Sequence, residues 1–179
     1  MRKVFALFLL ALLISCSNKT EEVVIPVISE EEEEKVEEMP DEFEIRVDNE
    51  IYSISIHDVP AITYYLSSAK NWYEKVDEVK GTTIEERGNN RFILVEYACQ
   101  KKTKKCSYVL VKENNQGISS VALRDLTTFD SYHFSPDDSH VIFHFKRDIG
   151  LEELTSHLQV VNIDKMEIVN LKNDDLDRD

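Results

Sequence analysis

Apolar positions change their spacing along this chain, and each change marks a different kind of segment. From Val4 to Ile14 they run without a break. From Ser17 to Glu44 they are sparse, and from Ile45 onward they recur in patterns that secondary structure imposes. The first such pattern is partial alternation: Ile45, Val47, Ile51, Ile54 and Ile56 alternate in part around the turn signal Asp48-Asn49, which predicts a strand over Glu44 to Ile56.

The second pattern is helical. Ile62, Leu66, Ala69, Tyr73, Val76 and Val79 recur at steps of three and four, and Tyr65 and Trp72 widen the stripe. Asp58 or Val59 stands near the cap, Pro60 in the first turn, and Gly81 just past the end, so the spacing predicts one amphipathic helix over Pro60 to Lys80. Its stripe reads as core, with Tyr64, Tyr65, Trp72 and Tyr73 as an alternative aromatic docking face. The acidic Glu74, Asp77 and Glu78 argue against contact with an anionic lipid surface.

From Thr82 the chain becomes a succession of short strands: 82–86, 91–98, 107–112, 118–123, 131–134, 140–146, 157–164 and 166–171. Gly88-Asn89-Asn90, Asn114-Asn115-Gln116-Gly117 and Pro136-Asp137-Asp138 supply hairpin turns between them. The expected fold class is α+β, a mostly antiparallel sheet with one N-terminal amphipathic helix.

The start of the chain carries an address. Arg2 and Lys3 precede the apolar run, which ends in Ser15 and Cys16, the layout of a secretory signal peptide. At about 1.5 Å per residue the run falls short of the roughly 30 Å of bilayer hydrocarbon, so a permanent anchor helix is the weaker reading. Leu13-Ile14-Ser15-Cys16 resembles the lipobox of bacterial lipoproteins. That resemblance implies that residues 1–15 are removed and that Cys16 becomes a diacylated anchor on the extracytoplasmic side; two or three acyl chains hold a protein stably where one does not. Ser17 after the cysteine implies delivery to the outer membrane of a double-membrane host, and a single-membrane host would keep the protein on its plasma membrane.

Charge sharpens the rest. The 179 residues hold 21 Lys+Arg against 35 Asp+Glu, a net charge of −14, which disfavours nucleic acid, whose phosphates need a basic face. Much of the excess lies between Ser17 and Glu44, where two lysines meet twelve acids, among them Glu30 to Glu34. With Pro26, Pro40 and few large apolar groups, residues 16–44 read as a lipidated cysteine and a self-repelling acidic linker. Residues 45–179 are long enough for one folded domain.

A weak repeat runs through that domain. Residues 89–97 followed by 107–111 parallel residues 138–145 followed by 158–162, each giving turn, strand, loop, strand at a spacing near fifty. Phe134-Ser135-Pro136-Asp137-Asp138 and the strand after it resemble the turn of TolB-like β-propeller blades, with Asp138 where that family has Gly. The resemblance implies propeller-blade-like strands and a platform for protein or peptide contact. Two blades cannot close a ring of at least four, which leaves a single sheet capped by the helix or an assembly of several chains, and the single capped sheet is the expectation.

Candidate chemistry is thin. With Cys16 assigned to lipid, Cys99 and Cys106 remain, and at the ends of two strands in an oxidising compartment they are expected to form a disulfide. Zinc at this pair is disfavoured for want of a second ligand pair. Between them Lys101, Lys102, Lys104 and Lys105 concentrate positive charge, either as a solvated hairpin tip or as a contact for phosphate-bearing polymers, lipid headgroups or the acidic run Glu30 to Glu34. His140 and His144 would lie about 13 Å apart along a strand, too far to share an ion. Ser135 reads as turn chemistry, and four glycines make no phosphate loop. No catalytic residue, metal or cofactor is expected. The reading is a binding or scaffolding module with an envelope protein partner, and the alternative is an envelope hydrolase or polymer-binding protein.

Overall fold

The computed structural model describes residues 38–148 and 154–170. The signal segment, Cys16 and the linker as far as residue 37 lie outside the described residues. In chain order the elements are β1 (Glu42–Val47), β2 (Glu50–Ser55), α1 (Pro60–Ser67), α2 (Trp72–Val76), β3 (Lys80–Arg87), β4 (Asn90–Tyr97), β5 (Ser107–Asn114), β6 (Gly117–Ala122), β7 (Thr128–Phe134), β8 (His140–Asp148), β9 (Leu154–Asn162) and β10 (Glu167–Val169). β1 thus begins inside the stretch that composition assigns to the linker, and Phe43 is buried there.

This is a mostly β protein of two sheets, which corrects the expected α+β class with one capped sheet and one N-terminal amphipathic helix. The helical periodicity of residues 60–80 becomes two short helices because the residues between them bond locally. Ser67 Oγ donates to Tyr64 O at 3.1 Å and Ser68 Oγ to Tyr65 O at 2.7 Å, the back-bonding by which serine competes with helix propagation. Asn71 then opens α2 with its amide donating to Glu74 Oε1. Ile62, Leu66 and Val79 are buried as the stripe demands, yet Val79 lies outside both helices, just before β3, and Tyr73 is exposed.

Gly81 is not a helix stop. It sits inside β3, where a Cβ would meet Val47 Cγ2 at 2.8 Å and Ile93 Cγ2 at 3.0 Å. The missing side chain lets β1 approach β3, and those strands pair in parallel through Arg46–Lys80 and Val47–Gly81.

The first sheet has the order β2-β1-β3-β4-β5-β6 and the second β10-β9-β8-β7. Apart from β1 with β3, the neighbours run antiparallel. β4 and β5 are buried on both faces, which is why Phe92 to Val95 and Tyr108 to Val111 read as unbroken apolar runs. Ile93, Val95, Val109 and Val111 face a core shared with Ile62 and Leu66 of α1. Phe92, Leu94, Tyr108 and Leu110 face a second core shared with Val141, Phe143 and Phe145 of β8. Lys112 Nζ also ties the two sheets, donating to Ile163 O at 2.9 Å.

Turn chemistry sets the hairpins. Asp48 and Gly88 adopt the left-handed conformation in two-residue turns, and so does Asp138 in the turn before β8. In that turn Asp137 accepts from Ser135 Oγ at 2.6 Å and from Ser139 Oγ at 2.8 Å, and these bonds lower its pKa to about 2. Arg87 pairs with Asp138 and lies 4.3 Å over the Phe134 ring, joining the β3–β4 turn to the second sheet.

Candidate functional site

The strongest concentration of unusual chemistry lies between β4 and β5. β4 ends at Tyr97, Ala98 turns the chain with φ 52°, and Cys99 and Cys106 join in a disulfide with Cα atoms 4.1 Å apart. The six residues between them fold tightly on themselves. Gln100 N donates to Lys105 O at 2.8 Å, Lys104 N to Gln100 O at 2.9 Å, and Thr103 Oγ1 to Gln100 Oε1 at 2.8 Å. Lys104 takes the left-handed conformation that this tight return requires. Below the loop, Cys106 and Thr127 exchange two backbone hydrogen bonds at 2.9 and 3.0 Å, fixing the base to the segment that enters β7. The expected disulfide is therefore present, and it clamps a short ordered loop.

Lys101, Lys102 and Lys104 are exposed on this loop, and Lys105 is half-buried. Beside it lies an open cleft of about 420 Å³ lined by Asp77, Glu78, Lys80, Glu96, Lys101 and Lys104, with the two cysteines and Gln100 completing its wall. Acids and lysines thus face one another across the cleft. Lys75 Nζ donates to Glu78 Oε2 at 2.9 Å, and Tyr65 OH donates to the same oxygen at 3.2 Å. The Lys75 bond is the main reason that the Glu78 pKa falls below its usual value, and burial opposes it. The same bond raises Lys75, while burial above all raises Tyr65.

Tyr65 connects this cleft to an aromatic patch. Its ring lies 5.6 Å from that of Tyr97, and Tyr64 beside it on α1 is 77% exposed. The expected aromatic face is divided accordingly. Tyr64 and Tyr73 project outward, whereas Tyr65 and Trp72 pack against the first core.

Glu96 was missed in the sequence and matters here. Among the described residues, Glu96, Cys99 and Cys106 are the one group of three metal-ligating side chains whose ligand atoms all lie within 4.8 Å of one another. The signal was legible in principle, because counting by two from Phe92 and Leu94 lands on Glu96, a carboxylate at the end of an otherwise apolar face.

The remaining candidates are dispersed. His133 pairs across strands with Ile142 and His144 with Ser131, on the face of β7 and β8 opposite the buried Phe143 and Phe145. His140 Nδ1 lies 2.6 Å from Ser139 Oγ, and Asn162 Nδ2 lies 3.4 Å from its Nε2. The Ser139 hydroxyl also lies 2.8 Å from Asp137 Oδ2, so this contact belongs to the turn that Asp137 organises. Ser135 likewise spends its hydroxyl proton on Asp137, in keeping with turn chemistry. Among the described residues no helix is long and apolar enough to cross a membrane. Compared with protein-family models, curated proteins and solved structures, the chain matches none.

Proposed function

We propose that this chain is a membrane-anchored envelope lipoprotein, held through Cys16, that acts as a binding or scaffolding module for an envelope protein complex. The observation that carries the binding reading is the loop itself. A chain of net charge −14 presents three exposed lysines, Lys101, Lys102 and Lys104, on a segment clamped at both ends by a disulfide. Clamping reduces the entropy lost when such a loop docks, and concentrated charge steers an acidic surface toward it. The disulfide supports an oxidising compartment, consistent with export. The lipobox resemblance supports the anchor.

The test is crosslinking in intact cells followed by purification from detergent-solubilised envelopes. It compares the native chain, Cys16→Ala, and the triple variant Lys101→Glu/Lys102→Glu/Lys104→Glu. A stoichiometric protein partner is expected with the native chain, lost with Cys16→Ala, and lost or strongly reduced with the charge reversal. Recovery of the same partner in equal yield from the triple variant would refute the role of the loop. Equal recovery from Cys16→Ala would refute the anchor. The contact is expected to weaken as salt rises past physiological strength, where the Debye length is about 8 Å.

A further inference from the structure

We infer that Glu96, Cys99 and Cys106 form a binding site for a thiophilic divalent cation of the zinc class once the Cys99–Cys106 disulfide is reduced. The inference rests on three ligand atoms and their surroundings and concerns the reduced protein, whereas the proposed docking role concerns the loop clamped by the disulfide.

The geometry comes first. Tetrahedral zinc binds thiolate at about 2.3 Å and carboxylate at about 2.0 Å, which places ligand atoms roughly 3.5–3.8 Å from one another. A Glu96 carboxylate oxygen lies within 4.8 Å of both sulfurs, which are bonded to one another, so ligand spacing is reached when the sulfurs separate and the carboxylate closes in. The backbone around them is held by more than the disulfide. Cys106 keeps its two hydrogen bonds to Thr127, the loop keeps its own three, and Glu96 stays in register opposite Lys80 and Tyr108. Reduction therefore leaves a preformed set of donors rather than two loose thiols.

The second argument is chemical identity. Two thiolates and one carboxylate are a donor set that suits zinc and excludes the hard, oxygen-seeking calcium and magnesium. The three residues share the wall of the cleft, so the fourth coordination position opens toward solvent, as in zinc sites that bind water or a substrate atom. Lys101 and Lys104 line the same cleft and offset the charge that the site acquires.

The redox and binding steps balance. A thiolate of an external dithiol attacks Cys99 Sγ, the more accessible sulfur, because Cys106 is buried. The S–S bond breaks and Cys106 leaves as a thiolate. The second thiol of the reductant then attacks the mixed disulfide and releases Cys99, so the reductant is oxidised to its own disulfide, two electrons reach the two cysteines, and the two protons that its thiols lose pass to the Cys99 and Cys106 thiolates. The cation next displaces two protons from the two thiols and takes up the Glu96 carboxylate. A divalent ion, two thiolates and one carboxylate make a complex of net charge −1.

The test uses the full chain with Cys16→Ala, which removes the third thiol, and Co²⁺ as a spectroscopic substitute for zinc. In the reduced protein one equivalent of Co²⁺ is expected to give thiolate-to-cobalt charge-transfer bands and the intense visible bands of a tetrahedral site. About two protons should be released per ion. The oxidised protein should give no such bands, and Zn²⁺ should bleach them in the reduced one. Glu96→Gln should weaken Co²⁺ binding at least tenfold while still forming the disulfide on oxidation, which separates a lost ligand from a lost fold. Absence of charge-transfer bands in the reduced protein, or equal Co²⁺ affinity in Glu96→Gln, would overturn the assignment.

Discussion

Replacing Gly81 by alanine tests the packing of the first sheet at its tightest point. The added Cβ would stand 2.8 Å from Val47 Cγ2 and 3.0 Å from Ile93 Cγ2, and both neighbours are fully buried. Neither can swing away, so relief must come from moving β1. That strand is joined to β3 by two residue pairs and the bond from Asp48 N to Gly81 O at 3.0 Å. Overpacking of a closed core costs about 1–3 kcal/mol. Alanine returns about 0.4–1 kcal/mol by restricting the unfolded chain, since φ at Gly81 is not left-handed and carries no backbone penalty. A net destabilisation of about 1–2 kcal/mol follows, read from urea unfolding followed through Trp72, the single tryptophan. The clash has a specific remedy. Val47→Ala alone removes two buried methyl groups and costs about 1.6 kcal/mol or more, but in combination with Gly81→Ala it vacates the space that the new Cβ needs. The double variant should therefore be more stable than the sum of the singles by about 1 kcal/mol. A neutral or stabilising Gly81→Ala, or strict additivity in the cycle, would refute the close approach of β1 to β3.

Other expectations are equally direct. Cys99→Ser/Cys106→Ser opens a seven-residue separation and should cost about 2–3 kcal/mol relative to the oxidised protein, seen as a lower denaturant midpoint. An unchanged midpoint would show that the clamp contributes nothing to the domain. Phe143→Ala empties a site with no solvent exposure that is walled by Phe129 and Phe145, with ring centroids 6.5 and 6.2 Å away; a loss of about 3–5 kcal/mol is expected on thermal or urea unfolding. Asp137 should titrate near 2 by carboxyl NMR. Because its pKa is depressed in the folded chain, its contribution to the turn is complete above the ordinary aspartate range and is lost as pH falls through about 2; a midpoint near 4 would contradict the hydrogen bonds drawn to it.

The strands were legible because alternation and turn residues agree along most of the domain. Gly88, Asn114 to Gly117 and Pro136 to Asp138 end strands where their chemistry says they should. The helix was not legible at its true length. Ser67, Ser68 and Asn71 are ordinary residues on a helical wheel, and their bonds to nearby backbone and side chains become decisive only once the chain needs to leave α1 and enter β3. Gly81 misled for a related reason: glycine after an apolar stripe signals a helix end, but a close backbone approach demands the same residue. At the candidate site the cysteines announced their pairing through their places at the ends of two strands. Glu96 could have been found by its place on the Phe92–Leu94 face of the strand that leads into the loop, whereas the cleft acids Asp77 and Glu78 come from a separate part of the chain that only the fold brings there.

The repeat gains a physical meaning when its two halves are compared face by face. Aligning 89–97 with 138–145 sets Phe92 on Val141 and Leu94 on Phe143, and aligning 107–111 with 158–162 sets Tyr108 on Gln159 and Leu110 on Val161. Seven of these eight residues lie in the second core, and Gln159 is buried opposite Phe143 on the same face. Equivalent faces of the two meanders, β3–β6 and β7–β10, therefore meet each other. Such self-complementary packing closes with two members, whereas packing one face on the opposite face of the next member continues until a ring forms. The remaining equivalent faces have different fates. In the first meander Ile93, Val95 and Val109 are sealed beneath α1, while their counterparts in the second, Ile142, His144 and Val160, are only half-buried, and Leu158 beside them is 52% exposed. The two helices are thus explained by the sheet they cover: short segments suffice to shield one apolar face, and nothing in that task requires the single long helix that periodicity alone implied.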